Sequence, residues 1–449
     1  MLREARKIYM VGIGGIGISA LARILNHSGK KICGSDLQAS EITKKLHEEQ
    51  IQVTIGHREE NLTKDFDLLV HSVAVPENNP ERIAAANLAI PQMTYPQALG
   101  ELASDYDVVV AIAGTNGKTT TTAMIGTILE RSGADPTVMV GSEVLAWGSN
   151  ARFGSKRYLV LEADEYRRAF LNYHPDVAVV TNIEVDHLDY FKNIADIRSA
   201  FVSFLGNVRG PGKLIYNRND DNCIEVAKNF TGTKIGFGIG SSNTTEEPDF
   251  KAERIQQSIN LKVPGWFNLA NATAAMAVCQ TLGIPFEACK LGLESFTGTW
   301  RRFQKVGKIG STDIISDYAH HPAGIWAALD AGLEVVNDPT RILAVFQPHQ
   351  RNRTKNLFKE FVKAFCGSDI MNFIISEIFE VAGREKEQDN DTSSRELVEE
   401  VKKCGKNVLY AEDLSECEQQ VRMVAAKYDM VIFIGAGDIY KVANKLATS

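Results

Sequence analysis

The sequence contains no apolar run approaching the length a bilayer crossing requires, which excludes a helical membrane span. Cysteine is sparse: seven residues, at 33, 223, 279, 289, 366, 404 and 417, none in a Cys-x-x-Cys pair. That spacing argues against a zinc ribbon or a dithiol redox motif, and buried, reduced thiols are expected. There is no excess of positive charge. The formal net charge of −7 gives no long-range attraction to nucleic acid or an anionic membrane. The opening MLREARKIYMVGIGG runs directly into a strand-like segment with no signal-peptide apolar region, so a cytoplasmic location is expected. With histidine at nine positions and no Cys/His cluster, a resident metal should be a hard cation on oxygen ligands with an occasional imidazole.

What is present reads as folded α/β protein. An apolar content of 44% with 23% charged residues leaves little room for long disorder, and 449 residues exceed what one core usually organises. Three segments are expected: residues 1–104, 105–307 and 308–449. In the first, a strand at Ile8–Val11 meets glycines, then a helix through Leu25 and a strand near Lys31–Cys33, a βαβ opening. FDLLVHSVAVP and Ala89–Met93 supply further strands, and 94–107 reads as a short helix. The second begins with DVVVAIAG, a buried strand entering a glycine-rich loop and the helix TTTTAMIGTILERSG. Strands follow in RYLVLEAD, DVAVVTNIEVDH, GKLIYN and KIGFGIG, then the apolar helix within 265–285. The third alternates strands (DIISDYA, RILAVFQPH, IMNFIIS, YDMVIFIGAG) with helices at Ala323–Leu333, Asn356–Ala364 and Leu414–Lys427, which implies a largely parallel sheet. Residues 389–394 read as a polar loop.

The strongest chemical signal is Gly114-Thr115-Asn116-Gly117-Lys118-Thr119, followed by Thr120, between a buried strand and a helix. Backbone N–H groups at a helix start face an anion, Lys118 adds a point charge, and the Thr119 hydroxyl can reach Mg²⁺. The general pattern would place glycine at 112, where this chain has Ile112. Glycines 12, 14 and 17 form GxGxxG with Asp36 beyond. A dinucleotide site, another diphosphate ligand and a purely structural turn all fit that motif. Glu162, Asp164 and Glu165 close one strand; Asp186, His187 and Asp189 follow another. Carboxylates at such strand ends can hold Mg²⁺, or simply cap the next helix.

Asn268 and Asn271 share a helix face at i, i+3 and could meet a nucleobase edge, with N-capping the alternative for Asn268. Arg301-Arg302 could clamp phosphate or make an interdomain salt bridge. His349, Arg351 and Arg353 form a cationic patch suited to a carboxylate. His320 and His321 are adjacent, so their side chains diverge and positioning or packing is expected before metal binding. The glycines of GAGDI, 435–439, let backbone approach a neighbour or cap a strand end.

Together VGIGGIGISALARIL with GSD, GTNGKTTTTAM, EADE, TNIEVDHLDYF, RRF, DYAHHP, FQPHQRNRT and GAGDI resemble the Mur ligase family across essentially the whole chain. The resemblance implies three α/β domains: an N-terminal Rossmann-like one for a UDP sugar, a central phosphate-loop ATPase-like one, and a C-terminal Rossmann-like one for an amino acid. It implies ATP and Mg²⁺ as cofactors and UDP-N-acetylmuramate and L-alanine as substrates. No nucleic acid or membrane partner is implied, and the assembly should be a monomer or weak homodimer. It implies that Lys118 and Thr119 contact phosphate and Mg²⁺, that Glu162 and His187 ligate metal, and that Asn268 and Asn271 approach adenine. Arg302 would meet the ATP phosphates and Asp317 the ribose. His320, His349 and Arg353 would surround the amino acid or reacting carboxylate. Gly12, Gly14, Gly15, Gly17, Asp36, His71 and Ser72 would face the UDP part. Three features depart from the pattern of the alanine-adding members: Asn116, the choice of sister ligases, stands where they commonly carry histidine, Gln350 replaces an arginine, and Arg167-Arg168 stand where an acid is expected. A ligase that recycles a tripeptide onto UDP-N-acetylmuramate is the nearest alternative; an NAD-dependent oxidoreductase explains only GxGxxG.

Overall fold

The computed structural model describes residues 1–187, 190–240, 247–380 and 393–448; the candidate acid Asp189 and most of the 389–394 loop lie outside them. The described part of that loop is corrected: Ser393 caps a helix that already includes Ser394, its hydroxyl accepting from Arg395 N–H. Three sheets form, as the three-domain α/β reading requires. The first orders its strands Gln52–Ile55, Lys31–Asp36, Lys7–Val11, Leu68–His71 and Gln92–Thr94, all parallel. The second orders Phe250–Lys251, Thr233–Gly238, Lys213–Asn217, Val177–Val180, Val108–Ala113, Tyr158–Glu162, Thr137–Val144 and Ser149–Arg152. Only the last pair there is antiparallel. The third orders Gln304–Ile309, Thr312–Asp317, Met430–Ile434, Ile342–Phe346, Asn372–Ser376 and Asn407–Ala411, parallel except for its first pair. Residues 304–307, read from sequence as the end of the second segment, belong to a strand of this third sheet.

Chain contacts divide the molecule into two compact units: residues 1–261 with 270–297, and 262–269 with 298–449. The first contains two sheets, a large core running from Leu2 through Leu161 to Phe230 and a smaller one around Tyr9, Leu62 and Phe66. Central strands such as VVVAIA are buried nearly throughout, the pattern of a parallel strand covered on both faces. The hairpin Thr137–Val144/Ser149–Arg152 has no counterpart in the sequence reading, and it joins the two sheets. Asn150, buried, donates to Ile16 O at 2.6 Å and accepts from Arg23 Nη1 at 2.6 Å, fastening the helix Ile16–His27 to the hairpin. The second unit covers its sheet with helices including Pro322–Val336 on one face and Leu414–Val424 and Tyr440–Ala447 on the other. Among the described residues no helix is long and apolar enough to cross a membrane.

The expectation of seven reduced thiols fails at one pair. Cys366, near the end of the helix Phe358–Gly367, and Cys404, capping Ser394–Lys403, come within 5.7 Å Cα–Cα and form a disulfide. Sequence spacing carries no sign of this because helix packing brings the two together. The other five cysteines are buried and free. The cysteines lie 38 residues apart, and closing such a loop restricts the unfolded chain by about 4 kcal/mol in the chain-entropy account. Cys404→Ser should therefore lower the thermal midpoint of the oxidised protein by several degrees and leave that of the dithiothreitol-treated protein unchanged. Equal midpoints for oxidised wild type and variant would contradict this.

Candidate functional site

The strand Val108–Ala113 delivers the chain to Gly114 at φ +139°, and Gly117 at φ +84° starts the helix Lys118–Arg131. A side chain at 114 is excluded, since a Cβ there would fall 2.1 Å from Thr181 Oγ1. The loop is held from the neighbouring strand end. Asn116 N–H donates to Asn182 Oδ1 at 2.8 Å, and Thr181 Oγ1 donates to Asn116 O at 2.6 Å. Thr115 N–H donates to Asn182 O, while its hydroxyl accepts from Glu184 N–H at 2.9 Å. Asn182 and Glu184 were not singled out from sequence. Their signal was position alone, at the carboxyl end of a parallel strand beside the loop.

Lys118 Nζ donates to Gly114 O at 2.5 Å and pairs with the buried Glu165 at 2.9 Å. Burial disfavours its ammonium, but Glu165, Asp164 and Glu162 outweigh that and raise its pKa. Thr119 Oγ1 donates to Glu162 Oε2 at 3.2 Å, and Gly141 N–H bonds the other oxygen of the same carboxylate. Thr120 is buried one residue further along the helix. Asn271 Oδ1 accepts from Thr121 at 3.2 Å and lies against Gly117. Asn268, in the other unit, donates to Pro264 O at 2.7 Å.

His187 takes a left-handed backbone, φ +54°, and its ring lies 4.7 Å from that of Tyr166. Its ligand atoms fall within 4.8 Å of those of Asp164 and Glu165, one nitrogen and two carboxylates, a donor set that suits a hard divalent cation. Glu162, the carboxylate chosen from sequence, accepts from Thr119 and Gly141, and Asp164 and Glu165 group with His187.

At the first sheet, Gly12 turns at φ +76° against Ser72 and Val75. Gly14 N–H donates to Asp36 Oδ2 at 2.8 Å, so Asp36 braces the turn with one oxygen. Any Cβ at Gly14 would sit 2.8 Å from that oxygen. Gly15 caps and Gly17 enters the helix Ile16–His27. His71 is buried, which lowers its pKa, and Nδ1 meets Ser72 O at 3.0 Å.

In the second unit the strand ends converge separately. Asp317 accepts from Phe303 and Ala319 N–H, each at 2.7 Å, and burial raises its pKa despite Arg302 nearby. Arg302 lies 5.1 Å from the Tyr318 ring. The His320 and His349 rings are 5.8 Å apart, and Arg353 Nη1 stands 3.4 Å from His349 Nδ1. Arg351 pairs with Glu380 at 2.7 Å and so is turned to a different partner. The GAGDI glycines approach the Arg301 guanidinium, which donates to Gly435 O and, at 3.1 Å, to Gly437 O.

A parallel strand, a glycine turn, a lysine at the helix start and acidic neighbours define an α/β protein of the phosphate-loop type. The chain belongs to the Mur ligase family: residues 7–107 match its "Mur ligase family, catalytic domain" model, 112–279 the "Mur ligase middle domain" and 301–437 the "Mur ligase, glutamate ligase domain". It is 42% identical to the UDP-N-acetylmuramate–L-alanine ligase of Acetivibrio thermocellus over 98% of this chain and 95% of that one. The protein of the same name from Caldanaerobacter subterraneus is 38% identical over 99% and 98%. The crystal structure of UDP-N-acetylmuramate-alanine ligase from Thermotoga maritima superimposes with a TM-score of 0.80 at 27% identity, covering 98% of each chain.

Proposed function

We propose that this chain is an ADP-forming amide ligase that joins L-alanine to the carboxylate of UDP-N-acetylmuramate through an acyl phosphate, in cytoplasmic assembly of the cell-wall peptide precursor. The observation that carries the reading is the Lys118 turn, a charged lysine fixed at a helix start among carboxylates. The 42%-identical relative, matched nearly end to end, supports the choice of substrates.

Activating a carboxylate requires a better leaving group than hydroxide, so the γ-phosphate of ATP is transferred to it first. The alanine amine then attacks the carbonyl and phosphate leaves. Residues 1–104 are assigned to the UDP sugar, through Gly12, Gly14, Gly15, Gly17, Asp36, His71 and Ser72. Residues 105–307 are assigned to ATP and residues 308–449 to the amino acid. Lys118 and the N–H groups of 114–120 cradle phosphate and stabilise charge that develops on transfer. Asp164, Glu165 and His187 would hold Mg²⁺, with Glu162 and Thr119 beside them; the ion when bound neutralises phosphate charge. Asn268 and Asn271 are assigned to adenine, Asp317 to ribose and Arg302 to phosphate. His320, His349 and Arg353 are assigned to the alanine or reacting carboxylate. The protein acts as a monomer or weak homodimer.

Colorimetric phosphate release tests this directly. Release is expected only when ATP, Mg²⁺, UDP-N-acetylmuramate and L-alanine are all present. Release with the tripeptide L-alanyl-γ-D-glutamyl-meso-diaminopimelate and none with alanine would replace the reading with a recycling ligase.

A further inference from the structure

Arg167 and Arg168 break the family pattern, and the structure gives them different work. Arg168 pairs with Asp196 at 2.6 Å and lies over Phe191, fastening the segment Tyr166–Asn172 to the helix Ile194–Leu205. Arg167 is exposed and forms no ion pair among the described residues. One of its N–H groups donates to Val73 O at 3.0 Å, on the loop that leaves the first sheet. Val73 adjoins Ser72, the residue against which Gly12 turns. On its other side Arg167 lies 5.5 Å from the Tyr166 ring, which in turn meets His187. One cation thus stands between the glycine turn of the first sheet and the acidic cluster of the second. Both arginines hold left-handed backbone, φ +51° and +56°, a conformation that non-glycine residues rarely adopt. Such strain persists where surroundings impose it, and here it sends two adjacent side chains to opposite duties.

We propose that Arg167 binds the diphosphate of the sugar nucleotide, a charged contact that complements the backbone N–H groups of the glycine turn. A guanidinium has five donors in a planar fork; one serves Val73, and the remainder match phosphate oxygens. A glycine turn of this type supplies N–H groups but no formal charge, and Arg167 supplies the charge. The assignment rests on the sugar-nucleotide reading of residues 1–104.

The test compares UDP with uridine on the full-length protein, by calorimetry for UDP and NMR titration for uridine. Arg167→Ala should weaken UDP binding about thirtyfold, the scale of a charge-assisted hydrogen bond, and leave uridine binding unchanged. In the phosphate assay its KM for UDP-N-acetylmuramate should rise in proportion while kcat and the KM for ATP stay within about threefold. Arg167→Lys should recover part of the loss, and Arg168→Ala should bind UDP like wild type. A purely structural tie between sheets would weaken UDP and uridine together, or neither, and either result overturns the assignment. Wild-type protein that binds neither compound would overturn the underlying sugar-nucleotide reading, and the assignment with it.

Discussion

Replacing Lys118 by alanine is expected to reduce phosphate release by about a thousandfold or more, the scale found when a preorganised charge donor is removed from a reacting centre. The ammonium is fixed by Gly114 O and Glu165, so it costs no reorganisation when negative charge develops beside it. Its raised pKa also sets a pH expectation. The charge and its pairing are fully present below the ordinary lysine value and are lost only as pH rises through the higher folded value. Activity should therefore not decline through Lys118 in the neutral range. The alanine variant also strands Glu165, a carboxylate only 3% exposed, which costs about 3–5 kcal/mol of stability. The double variant Lys118→Ala/Glu165→Gln isolates the stability effect. Its thermal midpoint should return towards that of wild type while ligation stays absent. Recovery of ligation in the double variant, or wild-type turnover in the single one, would remove Lys118 from the chemistry.

The largest effect on the second unit is expected at Arg301. This guanidinium is 4% exposed, with ring centroids of Tyr440, Tyr318 and Trp300 at 4.5, 4.8 and 5.5 Å. It donates to two carbonyls of the loop after Met430–Ile434, and Tyr318 N–H bonds back to Arg301 O at 2.7 Å. Burial lowers its pKa to about 10, so it remains a cation at neutral pH. Arg301→Ala would empty the aromatic cage and leave two inward carbonyls without their donor, costing about 3 kcal/mol. For a domain of this size that corresponds to a thermal midpoint lower by about 10 °C. Arg301→Lys should recover less than half, because an ammonium cannot satisfy two carbonyls and stack flat on rings at once. An unchanged midpoint in the alanine variant, followed by tryptophan fluorescence or calorimetry, would contradict the role.

The phosphate loop and the glycine turn were readable from sequence because each must carry its requirements locally. Glycine is needed where φ is positive or a neighbour is close, as at Gly114 and Gly12, and lysine must fall at the helix start. The partners were not readable. Nothing in local sequence ties Asn116 to Asn182, or GAGDI to Arg301 some 130 residues earlier. His320 and His349 leave two strands that flank Met430–Ile434, so their approach is a property of strand order. Helix packing likewise set the Cys366–Cys404 bond. Glu162 ends a strand beside the loop as expected, with Thr119 and Gly141 donating to its oxygens, while the grouping of its neighbours Asp164 and Glu165 with His187 depends on a second strand that local sequence does not reveal.

The buried contacts of Asn150 with Ile16, Ser19 and Arg23 have a consequence for selectivity. They fasten the helix that follows the glycine turn to the hairpin that edges the second sheet, and the two sheets belong to one compact unit. Under the proposed assignment, a sugar nucleotide too short to reach from the glycine turn to the lysine loop would bind at its nucleotide end and present no acid group to be activated.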